Sequence, residues 1–146
     1  MTRPSVSTTT NRRLITAIFL VSFLRCSAQT TQPQTRIIEI LADHDSRYKI
    51  QGQKEPSITV KVGEEVILRI TAKKAQNRNR DGSIHGFTLL RANDRKPVPG
   101  WDFLLKPGTQ DIAVNAPSEA GECIVVCTVI CSMDYEAMSM KVVVLP

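Results

Sequence analysis

Apolar and polar residues alternate in short runs through most of the chain. Ile58, Val60 and Val62 alternate with Thr59 and Lys61. After Gly63-Glu64-Glu65, Val66, Leu68 and Ile70 alternate with Ile67, Arg69 and Thr71. A period of two on each side of a glycine turn predicts a hairpin or adjacent half-buried strands. The same pattern predicts strands over residues 37–41, 84–90, 109–114, 122–126 and 140–145. Pro97, Pro99-Gly100, Pro107-Gly108 and Pro117 punctuate the gaps. Short strands separated by proline and glycine turns point to an all-β sandwich rather than a helical fold.

The first residues follow a different pattern. Asn11-Arg12-Arg13 is basic, residues 14–24 are mostly apolar, and Arg25-Cys26-Ser27-Ala28 leads into a polar Gln/Thr stretch. Charged, apolar and small segments in that order predict a secretory signal peptide over residues 1–28, cut after Ala28, with a linker over 29–36 and one domain over 37–146. Arg25 is an awkward neighbour for a cleavage site, so an uncleaved membrane anchor is the competing reading. The apolar run is shorter than the ~20 residues that span a bilayer. The leader implies a periplasmic or secreted protein.

The leader also accounts for the charge. The whole chain carries 19 Lys+Arg against 14 Asp+Glu, a formal +5. Arg3, Arg12, Arg13 and Arg25 all lie in the leader, which holds no acid, so 15 basic and 14 acidic side chains remain without it. That balance leaves no general basic footprint, and the remaining aromatics, Tyr48, Phe87, Trp101, Phe103 and Tyr135, form no stacking series. Nucleic acid is therefore not an expected partner. The basic stretch Lys73, Lys74, Arg78 and Arg80 is expected to be a solvated loop.

Cys26 falls in the leader, leaving Cys123, Cys127 and Cys131 at intervals of four. In one continuous strand Cys127 and Cys131 would stand ~13 Å apart. A disulfide needs Cα atoms within ~7 Å, so the pair meets only if the strand ends near Cys127 and the chain curls. Ser132, Asp134 and Glu136 permit the curl, whereas the β-branched residues between 124 and 130 disfavour an early helix. Cys123 reads as a small buried hydrophobe, Met133 and Met140 as fillers of core gaps, Trp101 and Phe103 as packing, and His44 as a solvated turn residue.

The run from Cys127 to Met138 has two cysteines four apart, Tyr135 four later and Met138 three beyond that. It resembles the copper loop of cytochrome c oxidase subunit II and the related domain of nitrous oxide reductase, which have histidine at the place of Tyr135. Ser83-Ile84-His85-Gly86-Phe87 is similar to the segment that carries that family's first histidine ligand. Residues 58–70, Lys106-Pro107-Gly108, Ala120-Gly121-Glu122 and Lys141-Val142-Val143-Val144 fit its strands and turns. The resemblance implies a cupredoxin-like Greek-key β-sandwich holding copper A, a dinuclear centre that transfers electrons to or from a redox partner such as a cytochrome. By the same resemblance, His85 and Met138 serve one copper, the residue at 135 and the backbone carbonyl of Val129 serve the other, and Cys127 and Cys131 bridge them.

With Tyr135 in place of histidine, His85, Cys127, Cys131 and Met138 survive as a full set for one metal. Two thiolates, an imidazole and a thioether are a soft set suited to copper. Tyr135 is either a phenolate ligand or a packed side chain beside a mononuclear site. No Ser-His-Asp set, paired catalytic carboxylates or phosphate-binding glycine loop is present, so an electron carrier is expected rather than an enzyme. Residues 42–50 hold only Tyr48 where the oxidase subunit carries an aromatic-rich run. A free-standing carrier is thus favoured over an oxidase subunit. The alternatives are a copper carrier or insertion factor that keeps Cu(I) on the two thiolates, and a structural sandwich closed by a Cys127–Cys131 disulfide.

Overall fold

The computed structural model describes residues 35–74 and 76–146. The predicted leader and nearly all of the linker lie outside them. Nine strands follow in order: β1 Arg36–Ala42, β2 Tyr48–Lys49, β3 Ser57–Lys61, β4 Glu65–Ala72, β5 His85–Arg91, β6 Pro97–Leu105, β7 Gly108–Asn115, β8 Gly121–Val126 and β9 Ser139–Leu145. A single 3-10 turn, Tyr135–Ala137, precedes β9, and the described residues contain no α-helix.

The strands form a sandwich of two mixed sheets, ordered β2-β1-β4-β7 and β3-β9-β8-β5-β6. β1 runs parallel to β4, and β3 runs parallel to β9. The core lies between the sheets and is built by the predicted alternation. Val66, Leu68, Ile70 and Ala72 are buried from β4, Ile58 and Val60 from β3, and Met140, Val142 and Val144 from β9. Each of these strands turns one face inward and one toward water, which is why a period of two was visible.

The hairpin predicted around Gly63 does not form. β3 pairs with β9 while β4 pairs with β1 and β7, so the turn carries the chain from one sheet to the other. Gly63, at φ 68°, supplies the left-handed backbone that this sharp crossing uses. Both strands alternate because each sheet buries one face, not because they face each other. The structure adds two strands beyond those predicted. β2 spans two residues, and β6 runs through Pro97 and Pro99 at the outer edge of its sheet, where a missing backbone N–H costs no ladder bond.

β5 departs from the alternating pattern, being buried continuously from His85 to Leu89. Its first residues sit beneath the loop that follows β8, and that loop begins one residue after the strand ends at Val126. Other expectations fall into place: Cys123, Trp101 and Met140 are buried in the core, and Phe103 packs partly buried against it. Met133 differs. It is 88% exposed and fills no core gap, because it lies on the outer side of the loop.

Candidate metal centre

The β8–β9 ladder closes the neck of the loop. Val126 stands opposite Ser139, and one step further the Cys127 N–H donates to the Met138 carbonyl at 3.1 Å. Cys127 and Met138 are thereby held side by side by backbone bonds although the loop between them is irregular. No helix starts at Cys127. Instead the Cys131 N–H donates to the Val129 carbonyl at 2.8 Å, a three-residue turn that folds the chain back and leaves Ile130 on the outside. The Cys131 carbonyl in turn accepts the N–H groups of Gln76 and Asn77, which fasten the basic loop after β4 to this turn. The strand thus ends and curls where the cysteine spacing requires.

The curl brings the two sulfurs to 3.7 Å. That is well beyond the ~2.0 Å of a disulfide bond, and Cys123, Cys127 and Cys131 are all free thiols. The structure therefore contains no Cys127–Cys131 disulfide. His85, at the start of β5, completes a buried trio: one ring nitrogen and the two sulfurs all lie within 4.8 Å of one another. Met138 is fully buried beside them in sequence and through its carbonyl.

The imidazole is oriented by backbone. Its Nε2 lies 2.8 Å from the Lys73 carbonyl at the end of β4, so Nε2 carries the proton and donates. Nδ1 is then the lone-pair nitrogen, and it is the one buried side-chain nitrogen or oxygen among the described residues without a hydrogen-bond partner. Burial holds the His85 pKa below its ordinary value, which keeps the ring neutral. Nδ1 is thus a neutral, buried lone-pair donor without a partner, on a ring that lies against two thiols. Buried polar atoms are nearly always satisfied, and a soft metal ion would satisfy this one.

The thiols are poised differently. The Gly86 N–H points at the Cys127 sulfur from 3.3 Å, while that thiol lies 3.2 Å from the Val129 carbonyl. Burial pushes the Cys127 pKa up to about 11, so without a metal the group keeps its proton. Gly86 is the close approach that makes this possible: a Cβ there would stand 2.6 Å from the Thr128 backbone nitrogen and nearer still to its Oγ1. Thr128 is tied down through Thr88, whose hydroxyl lies 3.1 Å away and donates to Asp102 at 2.6 Å. The Tyr48 hydroxyl donates to the Gly86 carbonyl, and its ring packs edge-on against Phe87 at 5.4 Å between centroids. Burial, then the neighbouring thiol groups, raise the Tyr48 pKa and keep it a phenol.

Tyr135 is half-buried on the 3-10 turn, and its hydroxyl donates to the exposed Glu136 carboxylate at 3.4 Å. The Val129 carbonyl lies beside Cys127 and already accepts from Cys131. His44 is an exposed turn residue, with Nδ1 2.7 Å from Asp43. Sequence reasoning did not find Ser46, whose buried hydroxyl reaches Cys131, or Gly86 as the cradle of Cys127. A glycine inside a strand pattern is itself a signal of close backbone approach; nothing in the sequence marks Ser46.

No protein-family model matches the chain, and no curated protein sequence matches it. Solved structures do. An auracyanin B structure superposes with a TM-score of 0.51 at 18% identity, covering 79% of this chain and 92% of that one. Auracyanin A, a "blue" copper protein from the green thermophilic photosynthetic bacterium Chloroflexus aurantiacus, gives 0.52 at 18% identity, covering 76% and 99%. The fold is a cupredoxin-like β-sandwich. A heme-copper terminal oxidase gives a TM-score of 0.50 at 17% identity over 75% of this chain, which spans 64% of the oxidase chain's length. At these identities the likeness establishes the cupredoxin fold alone. The site must be argued from His85, Cys127, Cys131 and Met138 themselves.

Proposed function

We propose that this protein is a copper-binding cupredoxin that carries electrons through a mononuclear centre held by His85, Cys127, Cys131 and Met138. The observation that carries the reading is the His85 ring, with Nε2 committed to the Lys73 carbonyl, Nδ1 buried without a partner, and one ring nitrogen within 4.8 Å of both thiol sulfurs. Imidazole, thiolate and thioether donors suit copper over harder metals. Copper bound there supplies one-electron redox chemistry. The protein's part is to fix the donors: His85 on β5, Cys127 and Met138 on the last rung of the β8–β9 ladder, and Cys131 on the turn at Ile130. The buried surroundings exclude water, and the rigid ladder limits rearrangement between oxidation states.

A single metal is favoured over the dinuclear copper A arrangement. The second metal would need Tyr135 and the Val129 carbonyl, yet the Tyr135 hydroxyl is directed to Glu136 and the carbonyl is engaged by Cys131. The leader residues support a periplasmic or secreted location. Exposed Ile130 and Met133 on the metal-bearing loop offer a face for a redox partner such as a cytochrome.

The test is copper loading of the purified protein, with metal stoichiometry, visible absorption and EPR. One copper per chain with a stable Cu(II) form is expected. Two coppers with delocalised hyperfine structure would restore the copper A reading, and no bound copper under reducing conditions would end the proposal. Met133, 88% exposed on the same loop, favours a second reading, a Cu(I) carrier that hands its metal on. Tight Cu(I) binding, rapid transfer to an acceptor chelator and no stable Cu(II) form would select it.

A further inference from the structure

The metal-bearing loop and β5 belong to one sheet, but the turn between β1 and β2 reaches the site from the other. Ser46 sits in that turn and is 2% exposed. Its backbone is left-handed, at φ 55°, a conformation in which glycine or asparagine is the ordinary choice. The turn alone therefore does not call for serine. The serine hydroxyl instead lies 2.7 Å from the Ser132 hydroxyl and 3.7 Å from the Cys131 sulfur. Ser132 is held in its turn by the Asp134 N–H at 3.2 Å.

The turn that carries Ser46 is braced from below. The Ser46 N–H donates to the Asp43 carbonyl, and the Asp43 N–H to the Arg47 carbonyl. The Asp43 carboxylate, largely buried, is bonded to Lys49 at 2.7 Å and paired with Lys73 at 3.8 Å. Lys73 is also the residue whose carbonyl orients His85. One braced turn therefore bears on both an imidazole and a thiol.

We propose that Ser46 is a positioning residue of the metal centre: its hydroxyl donates to the Cys131 sulfur when that sulfur binds copper as a thiolate, and this bond raises the reduction potential. The inference rests on the copper reading above. In the metal-free arrangement the Cys131 thiol donates to Ser46, and Ser46 donates to Ser132. Copper binding replaces the sulfur–hydrogen bond by a sulfur–copper bond and releases one proton to water. The sulfur then has lone pairs and no hydrogen, so rotation of two hydroxyls reverses the chain: Ser132 donates to Ser46, and Ser46 donates to sulfur. A donor on the sulfur withdraws electron density from it, weakens donation to Cu(II) more than to Cu(I), and so favours the reduced state.

Ser46→Ala and Ser46→Gly together test this. Both remove the hydroxyl, but glycine relieves the left-handed backbone whereas alanine retains the strain. Cu(I) and Cu(II) affinities by chelator competition, with the potential and the thiolate-to-copper absorption, are the readouts. Both variants should lose about tenfold in the preference for Cu(I) over Cu(II), the scale of one hydrogen bond to a charged group. Both should also show a shifted absorption band. Absence of copper from the parent protein overturns the copper reading and this inference with it. A copper-loaded parent whose two variants match it, or differ from each other in sign, overturns the role of Ser46 alone.

Discussion

Thr128 lies so close over Gly86 that no side chain fits between them; a Cβ on Gly86 would stand 2.6 Å from the Thr128 backbone nitrogen. Since that neighbour is backbone, a rotamer change cannot make room. Gly86→Ala is expected to destabilise the metal-free protein by about 1–3 kcal/mol, as overpacking of a close-packed interior does. It should also weaken copper binding, because the Gly86 N–H is aimed at the Cys127 sulfur. Removing the hydroxyl by Thr128→Ala should recover only part of the loss. Urea unfolding of Gly86→Ala and of the double variant Gly86→Ala/Thr128→Ala measures this, and an unchanged midpoint for Gly86→Ala would show that the approach is not as close as described.

Tyr48→Phe should cost about 1–3 kcal/mol, the penalty for leaving a buried carbonyl without its donor. The phenyl ring keeps the edge-on packing against Phe87, so the loss isolates the hydroxyl bond to Gly86. Tyr48→Leu should cost more, since the aromatic contact goes too. Equal stability of Phe and Tyr at this position in denaturant unfolding would count against the bond.

Stability of the metal-free protein should fall in alkali. The Cys127 thiol moves from an ordinary value of 9.0 to about 11 on folding because burial disfavours the thiolate. The folded state therefore keeps a proton that the unfolded state loses, so this contribution is fully present below pH 9 and declines as pH rises toward 11. Thermal unfolding across that range should show the decline in the parent and a smaller one in Cys127→Ser. Copper loading should remove it, because the proton has already been displaced.

Tyr135→Phe should leave one copper bound with the same absorption and EPR spectra, as expected for a tyrosine whose hydroxyl is bonded to Glu136. Cys131→Ser should abolish that spectrum. A marked change of the copper signal in Tyr135→Phe would make the phenol a ligand after all.

Much of this arrangement was visible in residue order. Strands with one buried face, such as β4 and β9, show it as alternation, and the end of β8 beside Cys127 follows from the demand that Cys127 and Cys131 meet. What alternation cannot register is which sheet a strand joins, so Ser57–Lys61 and Glu65–Ala72 read as partners although they lie in different sheets. Edge strand Pro97–Leu105 was obscured by prolines that only an edge accepts. At the site, the candidate ligands His85, Cys127 and Cys131 are recognisable by type and spacing. The groups that contact them were harder to read: the carbonyl of Lys73 is backbone and carries no residue signature, the N–H of Gly86 is marked only by a glycine within a strand, and nothing in the sequence marks the hydroxyl of Ser46.

The β8–β9 rung that holds Cys127 against Met138 makes the site depend on β9. β9 is flanked by β3 on one side and β8 on the other, so it draws together stretches of chain that are far apart in sequence. Such distant pairings form slowly. A chain in which β9 had not docked would lack that rung, and its Cys127 and Cys131 thiols would be open to oxidation and to any soft metal. Any selectivity of the proposed centre would thus belong to the finished sandwich rather than to the cysteine loop alone.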